Sequence, residues 1–214
     1  MVSVKEVTRE LRKFVTLISN HVILLTTDRQ AFINSFHEIT TEEFEALESK
    51  LRTSSYKKGE HIISPGQIQR HLYFVRSGVQ MCHFEKDARS HVIAFTYPPN
   101  LCSLPESFSQ QKPSKYFYTA VTDSEIQYLT FDDLQVLYKS FQNIETLFRK
   151  INEKLLVGML NLHLEFRSLS IEERFTTFCK RSPHLLQQVP HKYIASYLGI
   201  DATNFSKLFN KVKI

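Results

Sequence analysis

The sequence predicts an α+β fold in which N-terminal helices and an antiparallel β-roll are followed by one long helix and a C-terminal helix-turn-helix. Three successive periodicities of the apolar residues support this order. Apolar residues recur every three or four positions up to residue 51, alternate in short runs between residues 56 and 130, and return to helical spacing from residue 144. A chain of 214 residues is long enough to give these parts real cores.

The first segment with helical spacing covers residues 4–25. Its apolar residues are Val4, Val7, Leu11, Phe14, Ile18, Val22 and Leu25. This pattern predicts an amphipathic helix that either packs on its own domain or acts as a partner-binding or dimer-extending arm. A second helix is predicted at about residues 28–36, and Thr40 with Glu43 forms a capping box that opens a third. Ser170 with Glu173 forms another capping box, which predicts that a separate helix begins there.

Short runs of alternating apolar residues come next. They predict strands at residues 61–63, 72–75, 79–84, 91–97, 116–121 and 125–130. Turn residues such as Lys58-Gly59 and Pro65-Gly66 separate them. Many short strands at intervals of roughly ten residues are typical of an antiparallel barrel or roll.

A long helix is predicted after the strands, because apolar residues then recur at steps of three and four. The seam consists of Ile144, Phe148, Ile151, Leu155, Gly158, Leu162, Phe166 and Leu169. About 28 residues at ~1.5 Å each span roughly 40 Å, which exceeds the mean helix of a globular domain. Such a seam favours a symmetric second copy, with packing along the chain's own roll as the alternative. We therefore assign the six seam residues from Ile144 to Leu162 to a dimer interface.

The pattern of the C-terminal region predicts a helix-turn-helix. The first helix is predicted from about Lys192 to Leu198, and Gly199 ends it because glycine enters the left-handed conformation without a Cβ clash. Asp201 can cap the second helix, whose buried face includes Phe205. Two short helices joined by such a turn are the unit that places its second helix in the major groove of DNA.

The formal net charge of +5 is concentrated in this region. Residues 175–214 hold six basic side chains and one acidic side chain, which accounts for the whole excess. A basic block that coincides with a helix-turn-helix is expected of a protein that binds the phosphate backbone of DNA.

Other classes of protein are disfavoured. The three cysteines, Cys82, Cys102 and Cys179, are dispersed, as expected of reduced thiols, and they predict neither a zinc site nor an iron–sulfur cluster. The longest apolar run, residues 14–27, is short and interrupted by polar residues, so we predict a cytoplasmic protein with no membrane anchor. No triad, phosphate-binding loop or metal constellation is present, and we do not expect an enzyme.

Several motifs add a family resemblance. Lys58-Gly59-Glu60, then Pro65-Gly66, then a strand ending at Ser77-Gly78 is similar to the opening of a cyclic-nucleotide-binding roll. With the order of the parts, these motifs resemble the cyclic-AMP receptor protein/FNR superfamily of bacterial transcription regulators, in the branch common in Bacteroidetes, over roughly residues 30–210. The resemblance implies a double-stranded β-helix of the cyclic-nucleotide-binding type, a dimerisation helix and a winged helix-turn-helix.

The expected nucleotide-binding cassette departs from this family. Members that bind cyclic AMP use a Gly-Glu pair for the ribose and an Arg-Ser or Arg-Thr pair for the phosphate. Here Leu101-Cys102-Ser103-Leu104 and Ser114-Lys115 occupy those regions, so cyclic AMP is not expected to bind in the usual way. No cofactor is identified, and an unknown small-molecule effector or no ligand at all remains open. The residues placed near any pocket are Ser103, Glu106, Ser114, Lys115, Tyr116 and Tyr118.

The recognition helix also departs from the family, which often places Arg-Glu early in this helix and an arginine one turn later. Ala202, Thr203 and Lys207 stand at those positions. The predicted DNA-binding residues are Lys192, Ala202, Thr203, Asn204, Ser206, Lys207 and Lys211. Loss of the DNA role, leaving a regulatory or scaffold protein with the same fold, is the alternative.

The resemblance implies double-stranded DNA and a second copy of the chain as partners, with RNA polymerase as a further candidate. The predicted domains are an N-terminal extension helix at residues 1–27, a cyclic-nucleotide-binding-like roll with flanking helices at 28–140, a dimerisation helix at 141–169 and a DNA-binding domain at 170–214.

Overall fold

The computed structural model describes residues 29–211. The helix predicted over residues 4–25, and with it the predicted domain 1–27, lies outside the described residues. Two helices lead into the roll: α1, Arg29–Asn34, and α2, Thr41–Ser49. The predicted capping box starts α2, because the Thr40 hydroxyl accepts from the Glu43 amide and the Glu43 carboxylate accepts from the Thr40 amide.

Eight strands form the roll in this part of the chain. They are β1 Arg52–Tyr56, β2 His61–Ile63, β3 His71–Ser77, β4 Gln80–Lys86, β5 Arg89–Thr96, β6 Leu101–Cys102, β7 Phe117–Ala120 and β8 Ser124–Thr130. They make two antiparallel four-stranded sheets, in the orders β1-β8-β3-β6 and β2-β7-β4-β5. A short helix, α3, Pro105–Gln110, connects β6 to β7. The six predicted strands are confirmed, whereas β1 and β6 were not predicted.

Two further helices follow the roll: α4, Phe131–Ser140, and α5, Gln142–Ser168. Together with α1 and α2 they cover the outer face of the first sheet. Buried side chains of this layer include Ile33, Leu47, Leu72, Leu129, Leu134, Ile144 and Phe148. The first third of the long helix is therefore part of the core of its own chain.

The burial of α5 changes abruptly along its length. Ile144, Phe148 and Ile151 are at most 5% exposed, whereas every residue from 152 to 161 is exposed. Three of the six residues predicted for a dimer interface thus pack inside the chain and offer no surface to a second copy. The interface prediction now rests on Leu155, Gly158 and Leu162, and on no earlier part of the seam.

Four helices form the C-terminal head in the described residues: α6 Ile171–Arg181, α7 Leu185–Gln188, α8 His191–Leu198 and α9 Ala202–Lys211. A second capping box, formed by Ser170 and Glu173, starts α6 as predicted. Between residues 170 and 211 the head contains no β-strand, so no wing lies in this range.

The head packs on the outer face of the second sheet. Val79, Met81, Val92 and Val121 of the roll share one buried cluster with Phe175, Phe178, Ile194 and Leu198 of the head. The Ser196 hydroxyl fixes the contact, because it donates to the Ser90 carbonyl at 2.9 Å and accepts from the Val92 amide at 3.0 Å. The sequence did not predict this contact between head and roll.

Two kinds of feature are not found in the described residues. Between residues 29 and 211 no helix is both long and apolar enough to cross a membrane. Over the same residues, no group of three or more His, Cys, Asp and Glu side chains is placed to hold a metal ion.

Candidate nucleic-acid interface and effector pocket

The turn between α8 and α9 has the geometry that the sequence predicts. Gly199 adopts a φ of +62°, and its amide donates to the carbonyls of Ala195 and Ser196. A Cβ at this position would lie 3.3 Å from the ring of Phe166 on α5, so a side chain here would also crowd the long helix. Glycine therefore both ends α8 and allows the head to approach α5 closely.

Asp201 caps α9, the predicted recognition helix. Its carboxylate accepts from the Asn204 amide at 2.9 Å, and this hydrogen bond is the main reason why the pKa of Asp201 is lowered. The same carboxylate accepts from the side-chain amide of Asn204. Asn204 is thus held at the start of the helix by two hydrogen bonds to Asp201.

All seven residues predicted to bind DNA lie on the surface of the head. Several already have partners within the chain. Lys211 contacts Glu172 with 3.1 Å between Nζ and Oε1, and the Ser206 hydroxyl donates to the Ala202 carbonyl at 2.9 Å. Lys192 lies over the ring of Tyr193, 4.9 Å from its centre. No such ion pair occupies Lys207 within residues 29–211, and it remains the best-placed cation on α9.

The buried face of α9 explains its position. Phe205 is 2% exposed and packs edge-to-face on Phe175, with 5.5 Å between ring centres. His191 of α8 contacts both Phe205 and Phe209. These contacts anchor one face of the helix in the head and leave the opposite face, with Thr203 and Lys207, in solvent.

The cassette between β6 and β7 does not present a phosphate-binding side chain to the interior of the roll. Lys115 pairs with Glu106 at the surface, with 3.1 Å between Nζ and Oε1. The Ser114 hydroxyl is bound to the backbone of Tyr116, accepting from its amide and donating to its carbonyl. Ser103 is half-buried. The structure thus brings Glu106 and Lys115 together, but it does not bring them together with Tyr118.

The interior of the roll is filled by neutral side chains. Tyr118 is fully buried, stacks 6.0 Å from Tyr73, and donates to the side chain of Gln80 at 3.4 Å. Among the described residues, no lysine or arginine is buried. Burial raises the pKa of Cys82 to about 12 and that of Cys102 to about 11, so both thiols stay protonated at ordinary pH. An anionic ligand would find hydroxyl donors here but no counter-charge.

Tyr73, Gln80, Cys82 and Cys102 line this interior and were missed by the sequence analysis. The signal that could have found them is the alternation of the strands, because Tyr73, Cys82 and Tyr118 occupy inward positions on three different strands. A second feature was also missed. A cavity of about 240 Å³ on the outside of the roll is lined by Arg29, Phe32, Arg76, Pro98, Pro99 and Glu125, among others.

Comparison with known proteins finds one family match, which covers part of the roll. Residues 53–141 match the cyclic nucleotide-binding domain family. No curated protein sequence is significantly similar to the chain.

Solved structures extend the likeness beyond the roll. A putative transcriptional regulator of the CRP/FNR family from Eubacterium rectale has a TM-score of 0.63 at 17% identity, over 80% of this chain and 82% of that one. The c-di-GMP-responsive global regulator CLP of Xanthomonas campestris gives 0.59 at 15%, over 81% and 92%. The catabolite activator protein of Thermus thermophilus gives 0.52 at 21%, over 82% and 84%. Residues 53–141 thus match the cyclic nucleotide-binding domain family, and the chain shares its fold with these solved structures.

Proposed function

We propose that this chain is a cytoplasmic, homodimeric, DNA-binding transcription regulator whose roll does not bind cyclic AMP in the usual way. The observation that carries the proposal is α9 itself, a capped helix that follows a glycine turn and exposes Thr203, Asn204 and Lys207. Family and fold support a regulatory role rather than a catalytic one. In a dimer, two such helices would read half-sites about one DNA turn apart.

A path from the roll to the head supports regulation by an effector. Along β4 the side chains alternate, so Cys82 faces the interior of the roll while Met81 faces the head. A ligand that displaced β4 from inside would therefore move the surface on which α8 rests. Such a ligand would shift the protein between two arrangements of the heads only if it bound the protein more tightly in one arrangement than in the other.

The proposal is tested by selecting binding sites from random duplexes and measuring affinity against salt. We expect a reproducible two-part site and a steep fall of affinity with salt concentration. In Lys207→Ala, the slope of log affinity against log salt should become shallower by about 2, because each of the two subunits loses one phosphate contact. Lys139→Ala, an exposed lysine on α4, should leave the slope unchanged. Unchanged binding in Lys207→Ala together with Asn204→Ala would contradict the assignment of α9.

A regulator or scaffold that does not bind DNA is the second candidate. It is favoured by the internal partners of Asn204, Ser206 and Lys211, which occupy three of the seven predicted contacts. Absence of any enriched duplex in the same selection would select this candidate.

Cyclic AMP gives a direct test of the roll. We expect that millimolar cyclic AMP will not raise the melting temperature of the protein, because Tyr73 and Tyr118 fill the interior and Lys115 is paired with Glu106 at the surface. A ligand bound at 100 times its dissociation constant would stabilise the fold by about 2.7 kcal/mol, which thermal unfolding detects readily. A concentration-dependent rise would show that the interior opens to admit a charged nucleotide.

A further inference from the structure

One end of the first sheet is left uncovered by its layer of helices. Phe74 of β3 is buried under that layer. Two residues further along β3, on the same face, Arg76 pairs with Glu125 of β8, and their side chains are 44% and 48% exposed. The cavity of about 240 Å³ lies at this end, and Arg29 and Phe32 of the first turn of α1 line it. The helical layer thus stops where α1 begins, and the cavity is the gap beyond it.

One wall of the cavity is formed by residues 98–99, and contacts on both sides of these residues hold this wall in place. After it, the Asn100 carbonyl accepts from the Val75 amide at 3.0 Å. Before it, the Tyr97 hydroxyl lies 2.7 Å from the hydroxyl of Ser182 in the head. The cavity is therefore preformed, because its wall is fixed by the roll and the head and not by an occupant.

The two arginines at the cavity already have partners. Arg29 donates to the side chains of Glu48 and Gln127. Arg76 pairs with Glu125, with 3.4 Å between Nε and Oε1, and also donates to Gln127 at 3.4 Å. An anionic ligand would have to displace one of these partners, so the charges do not favour one.

The rest of the lining favours an apolar occupant. It includes Phe32, Phe74, Val75, Pro98 and Pro99. A cavity of about 150 Å³ admits a molecule of the size of benzene. The larger volume of this cavity, about 240 Å³, therefore has room for one or two branched apolar side chains.

The sequence directly before α1 supplies such side chains. Residues 22–25, Val-Ile-Leu-Leu, are consecutive apolar residues. At 100° per residue, Ile23 and Leu24 fall outside the apolar stripe of the predicted helix, so they need a cover of their own. Leu24 precedes Arg29 by five residues, which span at most about 18 Å. Because Arg29 itself lines the cavity, the chain brings both side chains within reach of it.

We propose that Ile23 and Leu24 fill this cavity, so that the chain before α1 continues the helical layer over the end of the first sheet. The short connection to Arg29, the apolar lining and the pairing of both arginines support this occupant. The proposal does not rest on DNA binding or on a dimer, because occupant and cavity belong to one chain.

The test measures how fast a cysteine in the cavity reacts with a thiol reagent in the full-length chain. Glu125→Cys places the thiol there and removes an exposed contact to Arg76. This variant is made in three backgrounds: unchanged, Ile23→Asp with Leu24→Asp, and Thr26→Asp with Thr27→Asp. The last pair adds the same charge closer to Arg29 and is the matched control. The native cysteines are at most 8% exposed, so their reaction would reveal general unfolding.

We expect the Glu125→Cys thiol to react about tenfold faster in the Ile23→Asp/Leu24→Asp background than in the other two, with the native cysteines still slow, because the cover is then detached locally. Equal rates in all three backgrounds would overturn the proposal, and equal slow rates that rise on dilution would identify a second copy as the occupant. A similar rise in both double variants would also overturn it, since added charge and not lost apolar contact would then open the cavity.

Discussion

Gly78→Ala should unfold the roll under conditions in which the matched variant Gly66→Ala remains folded. Both glycines have positive φ angles, +83° and +86°, so alanine at either position strains the backbone. At Gly66 no atom lies within 4 Å of the added Cβ, and we expect a loss of about 1–2 kcal/mol in the free energy of unfolding. At Gly78 the Cβ would lie 2.4 Å from the carbonyl oxygen of Asp123, which cannot move without the backbone.

The clash at Gly78 extends to the interior of the roll. The new Cβ would also lie 2.4 Å from the Ser124 hydroxyl, which accepts a hydrogen bond from Gln80, the partner of Tyr118. We therefore expect Gly78→Ala to lose about 4 kcal/mol or more in urea unfolding, a magnitude seen only when backbone or core is disrupted. Equal losses in the Gly66→Ala and Gly78→Ala variants would mean that backbone strain alone sets the loss in the free energy of unfolding. The turn between β3 and β4 would then move enough to relieve the clash.

Features that depend on a few neighbouring residues were predictable from the sequence. The capping boxes at Thr40 and Ser170, and the left-handed turn at Gly199, are confirmed because each is fixed by side chains within four residues. β1 was missed because no such local signal marks it. Its sequence, Arg-Thr-Ser-Ser-Tyr, has no apolar alternation, and it is a strand only because β8 supplies its hydrogen-bond partners.

Features that depend on what covers a surface were not predictable. The spacing of the seam identifies one apolar side of α5, but it does not distinguish Ile144, which the roll covers, from Leu155, which is exposed. Met81 and Val92 look like ordinary sheet residues, and only the fold shows that the head packs on them. In the cassette, the positions of Ser114 and Lys115 were predictable, but the direction of either side chain was not.

Leu155→Glu combined with Met159→Glu should separate the proposed dimer into monomers. Met159 lies one turn after Leu155 on the same side of α5, next to the seam. Leu155 and Met159 are 46% and 64% exposed in the single chain, so the substitutions should leave its folding intact. In a symmetric dimer the two substitutions occur four times. If each side chain contributes about 1.5 kcal/mol or more when buried, dimerisation weakens by about 6 kcal/mol, or roughly 10⁴-fold. Sedimentation equilibrium at micromolar concentration should then find a 25.1 kDa species.

DNA binding distinguishes loss of the dimer from a general effect of added surface charge. A monomer carries one recognition helix, so it loses the gain from holding two half-sites at once and should bind a two-part site no better than a single half-site. Asn161→Glu with Ser168→Glu adds the same charge to exposed polar positions of α5 and should preserve both the dimer and the preference for two half-sites. Because both double variants lower the net charge by the same amount, a difference between them reflects the seam and not the electrostatic attraction of DNA. Retention of the dimer by Leu155→Glu/Met159→Glu would show that the dimer interface does not lie on α5. The long helix would then not set the spacing of the two heads.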